Sequence, residues 1–148
     1  MGPGFDREAV ITRCVELKRD VVAEDEFDTG MRMLLNLGHT VGHAIEKQSH
    51  FAVSHGSAVA MGTVIAARAS EKLGLCQEGL AEQIKELLVK YGLPTDSPYP
   101  GELLKDSLLS DKKRAGDTLH LILPKGFGDC VIYPVAIREL SSIFETIL

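Results

Sequence analysis

Apolar residues recur along this chain mostly at three- and four-residue intervals, the spacing that lines one face of an α-helix. After Asp6, a side chain suited to capping, the series Ala9, Val10, Cys14, Leu17 and Val21 predicts a first amphipathic helix running to about Val22. The acidic, aperiodic stretch Glu24 to Gly30 predicts a loop, with Thr29 or Gly30 opening the next helix. From Met31 to Gln48 apolar residues cover so much of the circumference (Met33, Leu34, Leu35, Leu37, Val41, Ala44, Ile45) that one helix there would be largely buried. Gly38 and Gly42 interrupt it. Each glycine costs ~1 kcal/mol in a helix interior, so two of them one turn apart predict close approach by another backbone or by a ligand.

A third helix, opened by Ser54 or Ser57 and spanning Ala58 to Leu73 before Gly74, is rich in Ala, Val and Ile and is predicted to be central. Leu80 to Tyr91 is amphipathic and more peripheral, stopped by Gly92-Leu93-Pro94 in the usual order of helix terminators. A loop at Thr95 to Pro100 leads to a short helix from Glu102 to Leu109. Leu119 to Leu123 and Cys130 to Tyr133 flank a Gly-containing loop, Pro124 to Asp129, and predict a β-hairpin. Ile137 to Leu148 closes the chain as a helix with Leu140, Ile143, Phe144 and Ile147 on one face. The fold class is therefore mainly α, with about six orthogonally packed helices and one small β-hairpin near residues 118–133. Residues 1–5 (Met1-Gly2-Pro3-Gly4-Phe5) are set aside as a scar or linker remnant, which leaves one domain at 6–148.

Composition narrows the function. The 148 residues, 45% hydrophobic and 25% charged, suit one globular domain. No apolar run approaches the ~18 residues of a membrane span. The net charge is −5, and no basic cluster exceeds Lys112-Lys113-Arg114, so neither a membrane nor nucleic acid is expected as a partner. Cys14, Cys76 and Cys130 are odd in number and set among apolar residues; they read as buried thiols of a reducing compartment, the cytoplasm.

The chemistry is concentrated in one segment. His39 and His43 are four apart and His55 follows, so that, with His50, four of the five histidines fall within seventeen positions. Thr40 stands where a zinc-protease helix needs Glu, which disfavours that class. Neutral imidazoles suit zinc, yet two or three of them leave a catalytic site short of a carboxylate or a further nitrogen. A purely structural role for the pair stays open. Arg32, Asn36, His39 and His43 would form one polar stripe on the expected 31–48 helix. With the cations Lys18, Lys112 and Lys113 added, a phosphorylated and carboxylated small molecule would be a fitting ligand, although pattern alone favours solvated helix faces for Lys18 and the 112–114 run.

The string Arg32-Met33-Leu34-Leu35-Asn36-Leu37-Gly38-His39-Thr40-Val41-Gly42-His43-Ala44-Ile45-Glu46, followed by His55-Gly56-Ser57-Ala58-Val59-Ala60, resembles the 3-dehydroquinate synthases of the shikimate pathway, members of the sugar-phosphate cyclase superfamily. The likeness extends through Lys18 to Asp25, Ala66 to Gly74, Gly92-Leu93-Pro94, Asp111-Lys112-Lys113 and Leu121 to Pro124. What it covers is the C-terminal, mainly helical domain of that family. The resemblance implies an N-terminal NAD-binding domain, whose glycine-rich fingerprint is absent from this chain. It also implies NAD and a divalent metal, zinc or cobalt, as cofactors. The implied reaction is that of a carbon–oxygen lyase acting on phosphate, turning 3-deoxy-arabino-heptulosonate 7-phosphate into 3-dehydroquinate for aromatic amino-acid biosynthesis. Its steps are transient oxidation, phosphate elimination, re-reduction, ring opening and aldol closure.

Residue by residue, the resemblance implies His39 and His55 as metal ligands, with the family's third ligand, a Glu, upstream of residue 1. His43 would lie near the phosphate and act in catalysis, Asn36 would bind phosphate, and Lys18 and Arg32 would hold the carboxylate, Lys18 also serving catalysis. Lys112 or Lys113 would supply a further phosphate contact. One departure is Ser57, where the family commonly has Glu beside the ligand histidine, so that metal affinity would weaken if that Glu supports the ligand. The expected partners are the phosphorylated keto-acid substrate, the NAD-binding half and, through the face left uncovered by that half, a second copy of this chain as a homo-oligomer. Alone, the chain is expected to be inactive. The alternatives are a related cyclase domain, of the inosose or valiolone kind, and a non-catalytic helical metal-binding module.

Overall fold

The computed structural model describes residues 6–27, 30–112 and 116–147, with the backbone alone at Asp111, Lys112, Thr146 and Ile147. Residues 1–5, Thr29, Lys113, Arg114 and Leu148, to which the sequence assigned roles, lie outside the described residues. The chain divides into two compact units, Met1–Asn36 and Leu37–Leu148.

In the first unit α1 spans Arg7–Glu24. Asp6 caps it as expected, its carboxylate accepting the Ala9 N–H at 3.0 Å. A short 3-10 helix, Met31–Asn36, follows. Its start is pinned by Asp25, whose Oδ2 accepts the N–H groups of Gly30 at 2.7 Å and Arg32 at 3.1 Å. The apolar stripe of α1 is present but none of its residues is buried, Ile11 and Val15 among the exposed. A helix joined within its unit only to one short turn has no surface against which to bury a stripe. Cys14 consequently lies exposed, and Cys76 and Cys130 are half-buried, so the expectation of three buried thiols fails.

In the second unit come α2 (His39–Gln48), α3 (His55–Lys72), α4 (Leu80–Lys90), α5 (Gly101–Lys112), β1 (Thr118–Gly126), β2 (Asp129–Ala136) and α6 (Ile137–Ile147). With α1, the described residues thus form six α-helices, one 3-10 helix and one hairpin, a mainly helical fold. α3 is the central element: Ala58, Met61, Ile65 and Ala69 join the main core with Ile45 of α2, Leu104 of α5, Leu123 of β1 and Leu140 of α6. Val64 and Ala67, on another side of α3, pack on Leu80 and Ile84 of the more peripheral α4. The N-terminus of α4 begins at a glycine with no side chain to cap it; Glu71 of α3 instead accepts the N–H groups of Gly79 (3.1 Å) and Ala81 (2.7 Å). The hairpin pairs Thr118 with Ala136 through Pro124 with Cys130, and its tight Phe127-Gly128 turn is shorter than the loop the sequence suggested.

The single helix expected over 31–48 is two segments. Gly38, at φ +77°, is the N-terminal cap of α2 and breaks the path from Asn36. The reason lies across the interface: a Cβ on Gly38 would overlap the Thr63 hydroxyl and lie 2.7 Å from the Val59 carbonyl oxygen of α3. Only glycine combines a left-handed conformation with so close an approach. A Cβ on Gly62 of α3 would likewise overlap the Gly38 carbonyl oxygen and sit 2.9 Å from the Gly42 nitrogen. The close backbone approach expected at Gly38 and Gly42 is therefore present, supplied by α3. The expected polar stripe is not: Arg32 and Asn36 lie on the 3-10 helix and His39 and His43 on α2, so no single helix face carries all four.

Candidate metal centre

α2 and α3 cross at their glycines, and this crossing brings their histidines together. His39 is the first residue of α2, His43 lies one turn further, and His55 is the first residue of α3. Between the helices the chain reverses in six residues. Ser49 Oγ donates to the Glu46 carbonyl at 2.9 Å and accepts the Val53 N–H at 3.1 Å. His50 and Phe51 both take positive φ, 51° and 62°, a conformation that non-glycine residues adopt only where the surrounding structure holds them. Ser54 then caps α3, accepting the Ser57 N–H at 3.3 Å, which sets His55 at the helix start.

The three imidazole rings converge, with centroids 5.0 Å apart for His39 and His55, 5.7 Å for His39 and His43, and 6.0 Å for His43 and His55. Glu46, on the buried side of α2, lies beneath two of them. Its Oε2 is 2.8 Å from His43 Nδ1 and its Oε1 is 2.8 Å from His55 Nδ1. His39 Nδ1 is 3.1 Å from the Leu37 carbonyl oxygen. The hydrogen bonds from His43 and then His55 hold the Glu46 carboxyl below its ordinary range, outweighing the opposing effect of burial. A carbonyl oxygen and an ionised carboxylate can only accept, so each neutral ring carries its proton on Nδ1 and presents the Nε2 lone pair. Three imidazoles with Nδ1 engaged and Nε2 available form a donor set that fits a divalent borderline cation such as zinc or cobalt. Among the described residues, His43, Glu46 and His55 also offer ligand atoms within 4.8 Å of one another.

The remaining sequence candidates are distributed as follows. Lys18 is exposed on α1, and Asn36, also exposed, ends the 3-10 helix. Arg32 is half-buried, its Nη1 donating to the Glu26 carbonyl at 2.9 Å. Lys112 is the last residue of α5 and Lys113 lies outside the described residues. The contact that sequence reasoning missed is Glu46. Its signal was present, a lone acid three residues after His43 on the apolar face of a buried helix, but its second partner, His55, belongs to another helix. Ser57, the departure noted above, occupies the third position of α3, its hydroxyl 2.9 Å from that of Ser54. The carboxylate that touches His55 is that of Glu46.

Comparison with known proteins follows the same segments. The family model described as 3-dehydroquinate synthase C-terminal matches residues 5–114. A 3-dehydroquinate synthase of Streptococcus pneumoniae (strain JJA) is 42% identical over 136 residues, which are 90% of this chain and 38% of that protein. One from Streptococcus thermophilus (strain ATCC BAA-491 / LMD-9) is 40% identical over 140 residues, 93% of this chain and 39% of the relative. The chain thus spans about two fifths of the length of these relatives. Among solved structures, 2-deoxy-scyllo-inosose synthase complexed with carbaglucose-6-phosphate, NAD+ and Co2+ matches with a TM-score of 0.79 and 28% identity, over 95% of this chain and 41% of that one. The 2-epi-5-epi-valiolone synthase of Streptomyces hygroscopicus subsp. jinggangensis 5008, with NAD+ and Zn2+ bound, shares the fold at a TM-score of 0.76 and 23% identity, over 94% of this chain and 39% of the other. By the extent of the family match, this chain belongs to the 3-dehydroquinate synthase C-terminal family.

Proposed function

We propose that this chain is the metal- and substrate-binding half of a 3-dehydroquinate synthase, acting with an NAD-binding half on 3-deoxy-arabino-heptulosonate 7-phosphate. The observation that carries the reading is the convergence of the His39, His43 and His55 rings with every Nδ1 engaged, which leaves the Nε2 atoms as the ligand donors. The greater length of the curated relatives supports the second half. In this reading His39 and His55 hold the metal through Nε2. A divalent cation bound there supplies Lewis acidity, stabilising alkoxide character on substrate hydroxyls.

The chain's other residues bind and move protons. Lys18 and Arg32 hold the substrate carboxylate, while Asn36 and a lysine of the Lys112-Lys113 pair hold the phosphate, whose charge grows as it leaves. His43 sits close to the phosphate. With Nδ1–H bound to the Glu46 carboxylate, its Nε2 is left as the acceptor that can take a proton and return it. The identity to dehydroquinate synthases, 42% against 28% for the inosose enzyme, favours dehydroquinate as product.

The test is a fusion of this chain to the N-terminal part of the Streptococcus pneumoniae relative, assayed with NAD and zinc. Phosphate release and dehydroquinate from the heptulosonate phosphate are expected from the fusion and not from this chain alone. Dehydroquinate from the chain alone would overturn the need for a second half. A ring product from glucose 6-phosphate, with none from the heptulosonate, would move the chain to the inosose synthases.

A further inference from the structure

We propose that Glu46 is the positioning residue of the histidine cluster, one carboxylate that fixes the tautomer and the orientation of both His43 and His55. This rests on reading the cluster as the metal and substrate site, although the tautomer claim can be tested without any metal. The side chains of His43 and His55 are 57% and 55% exposed, while that of Glu46 is 10% exposed. Two half-exposed imidazoles would otherwise exchange the proton between their nitrogens and turn about their side-chain bonds, because water satisfies either nitrogen equally well. Glu46 removes that freedom with one oxygen for each ring, both at 2.8 Å.

The backbone that carries the carboxylate is itself held. The Glu46 carbonyl accepts both the Ser49 hydroxyl at 2.9 Å and the Phe51 N–H at 2.8 Å. The same residue therefore organises the turn that returns the chain to His55 and grips the ring that the turn delivers.

The chemistry requires Glu in particular. An ionised carboxylate is an acceptor at both oxygens and can receive two Nδ1–H donors at once. A glutamine accepts at one end and donates at the other, so it would force one of the two rings into the opposite tautomer, with its Nε2 protonated and lost as a metal ligand in His55 or as a proton acceptor in His43. An aspartate, one methylene shorter, falls short of spanning two rings on two helices. A carboxylate on the far nitrogen of a ligand imidazole also raises its basicity, and loss of such a partner commonly costs 10–100-fold in metal affinity.

The experiment reads the histidine tautomers directly, by long-range proton–nitrogen correlation NMR on the metal-free chain near pH 8, above the ordinary histidine range. In the wild type His43 and His55 are expected as the Nδ1–H form. In Glu46→Gln at least one of them should revert to the Nε2–H form, while His39, held by the Leu37 carbonyl, stays unchanged as an internal control. Cobalt and zinc titrations of the same proteins should show affinity falling about 10–100-fold at unchanged stoichiometry. An Nε2–H form of His43 or His55 in the wild type would overturn the proposal without any variant having to fold. So would unchanged tautomers in a folded Glu46→Gln, or a cobalt spectrum that loses a carboxylate ligand in that variant, which would make Glu46 a ligand itself. A wild type that shows the expected tautomers yet binds no metal would support the positioning role and show that the histidines need a ligand from the second half to hold the ion.

Discussion

Gly62 sits where α3 meets the start of α2, and replacing it with alanine tests the idea that this crossing holds the unit together. The added Cβ would overlap the Gly38 carbonyl oxygen and lie 2.9 Å from the Gly42 nitrogen and 3.0 Å from the Gly38 carbonyl carbon. These are backbone atoms, so no rotamer change relieves the contact and the helices must part by about 1 Å to restore van der Waals distances. Overpacking of this kind costs typically 1–3 kcal/mol where side chains can adjust. Against rigid backbone the net loss is expected at about 3 kcal/mol even after the ~1 kcal/mol that alanine gains over glycine in a helix. For a unit of this size that lowers Tm by about 10–15 °C, read by circular dichroism at the helix band. Two controls grade the effect. At Gly42 a Cβ would come within 3.2 Å of the Ala58 carbonyl oxygen, so Gly42→Ala should be near neutral, clash and helix propensity offsetting. At Gly56, in the first turn of α3, a Cβ meets nothing within 4 Å, and Gly56→Ala should stabilise by up to ~1 kcal/mol. A Gly62→Ala protein as stable as wild type, or more stable than Gly56→Ala, would refute the account of the crossing.

Other consequences can be checked singly. Ser54→Ala removes the cap of α3 and should cost about 1 kcal/mol in urea unfolding while loosening His55, so zinc binding should weaken with it. Ser70 Oγ is fully buried without a hydrogen-bond partner, so Ser70→Ala should leave stability unchanged or raise it by about 1 kcal/mol; a clear loss would reveal a bond the structure lacks. Thiol labelling followed by peptide mass spectrometry should modify exposed Cys14 first, because burial, aided by Glu71 and Asp129, raises the pKa of Cys76 and Cys130 respectively and lowers their thiolate fraction. The carboxyl of Asp96 is held below its ordinary value, chiefly by its hydrogen bond from Lys85 and in part by Arg68. A depressed carboxyl stabilises the fold above its unfolded pKa, and that stability is lost as pH falls through the folded one. Asp96→Asn should therefore flatten the acid limb below about pH 4 by a few tenths of a kcal/mol, the small value befitting an exposed pair.

Much of this protein was legible in its linear pattern because helix ends and turns are local events. Asp6 and Ser54 cap the helices they precede, Gly92 and Pro94 follow the end of α4, and the alternation around residue 121 marks the hairpin. The histidine string carried the family with it, since spacing along one chain is enough to identify a motif. Three features could not be read that way. The break at Gly38 is imposed by the Val59 carbonyl and Thr63 across the helix crossing, while the local sequence favours one continuous helix. The exposure of Cys14 depends on what covers the stripe of α1, and a stripe does not name its cover. Glu46 acquires its role because two left-handed residues in the intervening turn deliver His55 to the carboxylate that already holds His43. Periodicity along the chain states which residues can share a face. Which faces meet, and which proton each ring then carries, is decided when distant backbones come into contact.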